Sequence, residues 1–138
     1  MQASEIKRVI KESLPNAKIN IADGTYASPA TRWLTGNFYT NLYLPWTKKN
    51  GLSKWRDQFD CDNFAYLYFV FAQICHAKSG RKEEGLAVGV MYYMTDDGGG
   101  HAINFVVSKG EFKAIEPQSG DIVKLSEDER NSCWFVTC

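Results

Sequence analysis

Cys61, in Phe59-Asp60-Cys61-Asp62-Asn63-Phe64, stands at the head of an apolar run, and a thiol so placed has the setting of a nucleophile. In the first turn of a helix it faces unpaired backbone N–H groups and the positive end of the macrodipole, both of which favour the thiolate. Asp60 has the side chain of an N-cap, while Asp60 and Asp62 together oppose the thiolate by Coulomb repulsion unless they point away. A base for this thiol has to be His101. The chain has two histidines, and His76 lies fifteen residues further along the same run, about 22 Å away at ~1.5 Å per helical residue. His101 follows Gly98-Gly99-Gly100 and opens the segment Ala102-Ile103-Asn104-Phe105-Val106-Val107. A histidine at a strand end faces a helix N-terminus across a helix–sheet interface, which is how an imidazole reaches a thiol. Glu116, in Ile115-Glu116-Pro117-Gln118-Ser119-Gly120, ends the next strand-like segment. Its carboxylate is the acceptor that would orient the imidazole through the other ring nitrogen. A turn at Lys109-Gly110 brings positions 101 and 116 opposite one another to within two residues.

The elements that must hold these residues are readable from periodicity. Ile6, Val9, Ile10 and Leu14 recur at helical spacing between Ser4 and Pro15, which predicts an amphipathic N-terminal helix capped by Ser4. From Asn16 to Asp57, Gly24, Pro29, Gly36, Pro45 and Gly51 alternate with Trp33, Phe38, Tyr39, Tyr43, Trp46 and Trp55. Long aromatic-anchored loops with at most short helices are expected there. Residues 61–78 are apolar on nearly every side and too long for a strand, so a helix buried all round is expected. After a connector from Ser79 to Gly85, strands are expected at 86–94, 101–108 and 111–115, with shorter ones at 121–123 and 133–137 and a capped helical turn at Ser126. The fold class expected is α+β, with the central helix 61–78 packed on an antiparallel sheet of about four or five strands, in one domain over residues 1–138.

The order Cys, His, acid, with the cysteine opening a buried helix and the other two on consecutive strands, resembles the papain-like and transglutaminase-like cysteine enzymes. Glu116-Pro117-Gln118-Ser119-Gly120 is similar to the acid-Pro-Gln-Ser/Thr-Gly segment of papain-fold toxin and deamidase domains, and the Cys–His–Glu spacings are similar to those in the papain-like protease domain of a mushroom agglutinin. The resemblance covers roughly residues 55 to 123. It implies a papain-like fold, a Cys61–His101–Glu116 triad, and oxyanion or substrate contacts from Trp55, Gln58 or Gln118. It also implies acyl transfer on a protein, peptide or amide: peptidase, amidase or glutamine deamidase chemistry.

A second expectation comes from a different class: a catalytically inactive module that binds or inhibits another protein through its aromatic loops. A metal-dependent hydrolase built on His101 and Glu116 lacks ligands, and no cofactor is expected. Asp96-Asp97 beside three glycines is an acidic turn in the first instance and a calcium ligand set in the second. Sixteen basic and sixteen acidic residues balance to zero, which argues against nucleic acid or an anionic membrane as partner. The polar N-terminus and the lack of any apolar stretch near ~18 residues point to a soluble, cytoplasmic protein. Cys61 and Cys75 are too far apart on one helix to bond, and Cys133 and Cys138 match no zinc spacing, so free thiols are expected.

Overall fold

The computed structural model describes residues 1–80 and 84–138, so the expected connector from Ser79 to Gly85 lies partly outside the described residues. Helix α1 (Ala3–Ser13) buries Ile6, Val9 and Ile10. It begins one residue before Ser4, because the chain ahead of it is tied down. Ala3 N–H donates to Gly24 O at 2.9 Å, and the terminal ammonium donates to Tyr26 O at 2.6 Å. Strands β1 (Lys18–Asn20) and β2 (Tyr26–Ala27) follow, then helix α2 (Thr31–Thr35), a π-helical turn at Tyr39–Tyr43 and helix α3 (Leu44–Lys49). The aromatic segment is thus a small packed unit. Phe38 meets Tyr68 edge-on at 5.0 Å and Tyr43 meets Tyr68 at 5.2 Å, so their rings form a second core.

Helix α4 (Cys61–Lys78) is followed by β3 (Gly85–Leu86), β4 (Val88–Met94), β5 (Gly100–Ser108), β6 (Glu111–Ile115), β7 (Ile122–Val123), helix α5 (Glu127–Ser132) and β8 (Phe135–Thr137). The main sheet has six strands in the order β1-β8-β4-β5-β6-β7. It is mixed: β1 runs parallel to β8, and the other pairs are antiparallel. A separate pair, β2-β3, is parallel. The expected antiparallel sheet of four or five strands is therefore corrected. The three-residue β1 joins the C-terminal strand from the opposite end of the chain, a pairing no local pattern announces. The β5–β6 turn at Lys109-Gly110 has positive φ at both residues, 52° and 79°, as a two-residue hairpin turn of primed type requires.

The sheet is covered on both faces. Along β5, Ile103, Phe105 and Val107 join the core under α1, while Ala102 and Val106 face α4 and the aromatic unit. This is the alternation a two-sided strand imposes. Asn104 is fully buried on the α4 side, where its amide donates to Ala65 O at 2.8 Å and Gly89 O at 3.0 Å. It thereby pins the helix to the sheet. Helix α4 itself is not buried all round. Ala65, Tyr68 and Ala72 are covered, whereas Tyr66, Val70 and Ile74 are exposed, because the sheet and the aromatic unit reach only part of its circumference.

Candidate functional site

Asp60 caps α4 through a capping box in which its backbone N–H donates to Asn63 Oδ1 at 3.1 Å. That fixes Cys61 as the first helical residue, half-buried, against the cluster of Ala65, Val90 and Ala102. Ala102 is the neighbour of His101 on β5. His101 Nε2 and Glu116 Oε2 are 2.8 Å apart, and the His101 ring also lies 5.8 Å from that of Tyr93, its cross-strand partner. Glu116 is held in turn, since its Oε1 accepts the Gln118 N–H at 3.1 Å. Tyr39 hydroxyl donates to Gln118 O at 2.7 Å, and Gly120, at φ 79°, lets that turn lie flat against the Tyr39 ring. The structure thus joins His101 to Glu116 and packs Cys61 against the cluster that contains Ala102, the residue after His101 on β5.

The other sequence candidates are more loosely placed. Trp55 and Gln58 are exposed on the loop before α4, and Gln118 contributes its backbone while its side chain is exposed. Asp62 carries a carboxyl raised above its ordinary range, first by a hydrogen bond with Asp60 and then by burial and the Asp60 charge. Asp96 Oδ1 accepts the Ser126 hydroxyl at 2.9 Å. Among the described residues, no group of three or more His, Cys, Asp or Glu is arranged to hold a metal ion. All four cysteines are free thiols, and burial raises Cys75, Cys133 and Cys138, the latter two to about 11.

A further site is built beside Cys61. Lys18 pairs with Phe135, Phe135 with Tyr92 and Tyr92 with Ala102, one register row across β1, β8, β4 and β5. Side chains in one such row share a face of the sheet, here the face that carries α4. Helix α4 packs over β4 and β5 and leaves the β8–β1 edge open. A groove of about 350 Å³ results, lined by Lys18, Tyr66, Tyr92, Trp134 and Phe135. The Tyr92 ring sits 5.9 Å from Trp134 and 6.1 Å from Phe135. Burial pushes the Tyr92 phenol up, and its hydrogen bond with Tyr66 pushes it further. Trp134 is 47% exposed. This row is not legible from local sequence pattern. The signal available was Trp134-Phe135 in the last strand and Tyr92-Tyr93 in β4, and it acquires meaning only once the strands are paired.

A larger cavity of about 420 Å³ lies at the other end of α4, against Trp33, Cys75, His76 and Leu86. Its polar groups are already engaged. Ser28 Oγ accepts from Lys109 N–H at 2.8 Å, Ser79 Oγ donates to His76 O at 2.7 Å, and His76 Nε2 is 3.0 Å from Glu84 O.

No family model and no curated protein matches the chain. Solved structures do. One, described as the PSL1a-E64 complex, superposes with a TM-score of 0.78 at 20% identity over all of this chain and 51% of that one. Another is Polyporus squamosus lectin bound to the human-type influenza-binding epitope Neu5Aca2-6Galb1-4GlcNAc, with a TM-score of 0.75 at 17% identity over all of this chain and 49% of that one. The chain spans about half the length of each. The second is a lectin structure, and these likenesses overturn the expectation of a papain-like or transglutaminase-like cysteine enzyme. The peptidase, amidase or deamidase activity that the resemblance implied is corrected with it, and the peptide or amide substrate finds no support in these likenesses. No helix among the described residues is long and apolar enough to cross a membrane. What the chain shares with both structures is their fold.

Proposed function

We propose that the chain is a binding module that takes a saccharide in the groove of Tyr66, Tyr92, Trp134 and Phe135. The observation that carries the reading is the half-exposed Trp134 ring against Tyr92, which also meets Phe135, with Lys18 lining the same groove. A sugar ring offers C–H faces that stack on aromatic planes and hydroxyls that need polar partners. Aromatic side chains with a polar tip serve both needs at once. Here the Trp134 indole N–H, the Tyr66 hydroxyl and the Lys18 ammonium supply those tips. The likeness in fold to Polyporus squamosus lectin, whose structure holds a sialylated trisaccharide, supports the choice of ligand class. The test is binding to a panel of immobilised glycans by the wild type and by Trp134→Ala. Saturable binding of at least one glycan that the substitution reduces by tenfold or more, about 1.4 kcal/mol, is expected. Absence of binding across the panel, or binding indifferent to Trp134, overturns it.

A second reading is favoured by the 2.8 Å contact between His101 and Glu116 and by the packing of Cys61 against the cluster that contains Ala102, the neighbour of His101. In this reading Cys61, His101 and Glu116 form one thiol–imidazole–carboxylate site, with Trp55, Gln58 and Gln118 around it. The Glu116 contact occupies His101 Nε2 and leaves Nδ1 as the ring nitrogen for a further partner. Alkylation of each cysteine by iodoacetamide, followed by mass spectrometry, tests it. Selective reaction at Cys61 that His101→Ala abolishes supports a working unit; equal reaction at Cys61 and Cys75 removes it.

A further inference from the structure

Helix α4 carries an exposed apolar row that nothing in the described chain covers. Tyr66, Val70 and Ile74 are 39%, 48% and 46% exposed. They lie four residues apart, so they form one ridge along the helix. The ridge continues at the same spacing to Asp62 at the N-terminal end and Lys78 at the C-terminal end. Its centre is Val70, with Tyr66 and Ile74 one step to either side and Asp62 and Lys78 two steps away. The ridge is therefore apolar in the middle, acidic at one end and basic at the other.

That pattern is complementary to itself when reversed. We propose that this face docks a second copy of the chain, about a two-fold axis passing beside Val70. A two-fold contact sets each residue against its mirror position in the row. Val70 meets Val70, Tyr66 meets Ile74, and Asp62 meets Lys78 twice. The two helix dipoles then run antiparallel, positive end beside negative end. No charge falls within the apolar centre, so none is desolvated without a partner there. Three exposed apolar residues in one continuous row mark an interface rather than a scatter of single residues. Tyr66 also borders the aromatic groove, so the pair carries two grooves beside the shared helices. The dimer stands on the helix face alone and does not depend on what the groove binds.

Sedimentation velocity on the wild type, Val70→Lys, Asp62→Lys, and the double variant Asp62→Lys with Lys78→Asp tests the proposal, with far-UV circular dichroism confirming the fold of each. The wild type is expected to be a dimer at micromolar concentration and Val70→Lys a monomer. Asp62→Lys places like charges together at two points and should weaken association at least tenfold. The double variant restores the pairing in reverse and should recover it. Should Val70→Lys prove unfolded, the charge exchange decides alone. A monomeric wild type, a folded Val70→Lys that remains dimeric, or a double variant no tighter than Asp62→Lys overturns the proposal.

Discussion

Two groups of aromatic residues meet α4, and they differ in what becomes of their polar atoms. In the aromatic unit of residues 38–43 with Tyr68, the rings are buried and every tyrosine hydroxyl has a backbone acceptor. Tyr43 donates to Phe64 O at 3.2 Å, Tyr68 to Leu34 O at 3.0 Å and Tyr39 to Gln118 O at 2.7 Å. In the groove, the Trp134 ring and the Tyr66 ring remain open to water. The same residue types thus build a core where their rings are enclosed and a candidate binding surface where Trp134 and Tyr66 stay open. Burial sharpens the contrast, because the core rings are enclosed, whereas the Trp134 ring is 47% exposed.

The comparison breaks if the two groups respond alike to truncation. Tyr68→Ala should cost about 3–5 kcal/mol, the range for removing a large buried aromatic side chain, and should lower the denaturation midpoint sharply or prevent folding. Trp134→Ala should stay within about 1 kcal/mol of wild type in the same measurement and show its effect on ligand binding instead. Asn104→Leu removes the amide that pins α4 and leaves the second lone pair of two buried carbonyls without its donor. A loss of about 1–3 kcal/mol is expected by chemical denaturation.

Alkaline titration offers a smaller effect of defined sign. Burial foremost pushes Tyr26 up to about 12, and likewise Tyr93. A phenol whose folded value is raised keeps its proton in the native state after the unfolded chain has released it. Stability from this source is fully present below pH 10, the unfolded value, and is lost as pH climbs from 10 towards 12. Ultraviolet absorbance of tyrosinate should lag behind that of free tyrosine until unfolding, then rise in one step. Tyr26→Phe should flatten part of that loss. The smallest change expected is for Glu116→Gln, which alters the partly exposed His101–Glu116 contact and should cost less than about 1 kcal/mol in thermal stability.

The sequence made some of this legible and hid the rest for a physical reason. Helices α1 and α4 declare themselves through local spacing, and the β5–β6 hairpin through its Lys109-Gly110 turn, because each is encoded by residues near one another in the chain. The proximity of His101 and Glu116 follows from that hairpin. The groove does not, since it depends on Lys18 pairing with Phe135, and Phe135 with Tyr92, across strands from three regions of the chain. The composition of residues 61–78 predicted full burial, yet Tyr66, Val70 and Ile74 are exposed. Apolar content alone does not say how much of a helix its own chain can cover. The fold-class and enzyme expectations failed at the same level. An order of three residues on suitable elements carried an inference that the likeness of the whole chain to both solved structures does not support.

The most direct test of the account is the resonance of the Trp134 indole N–H, assigned through Trp134→Phe, in two-dimensional ¹H–¹⁵N spectra as a glycan that binds the wild type is added. A saturable shift of that resonance, with the Trp33, Trp46 and Trp55 indoles unmoved, is the predicted result. A bound glycan that leaves Trp134 unshifted, or a shift centred on another tryptophan, would contradict the assignment of the groove as the binding site.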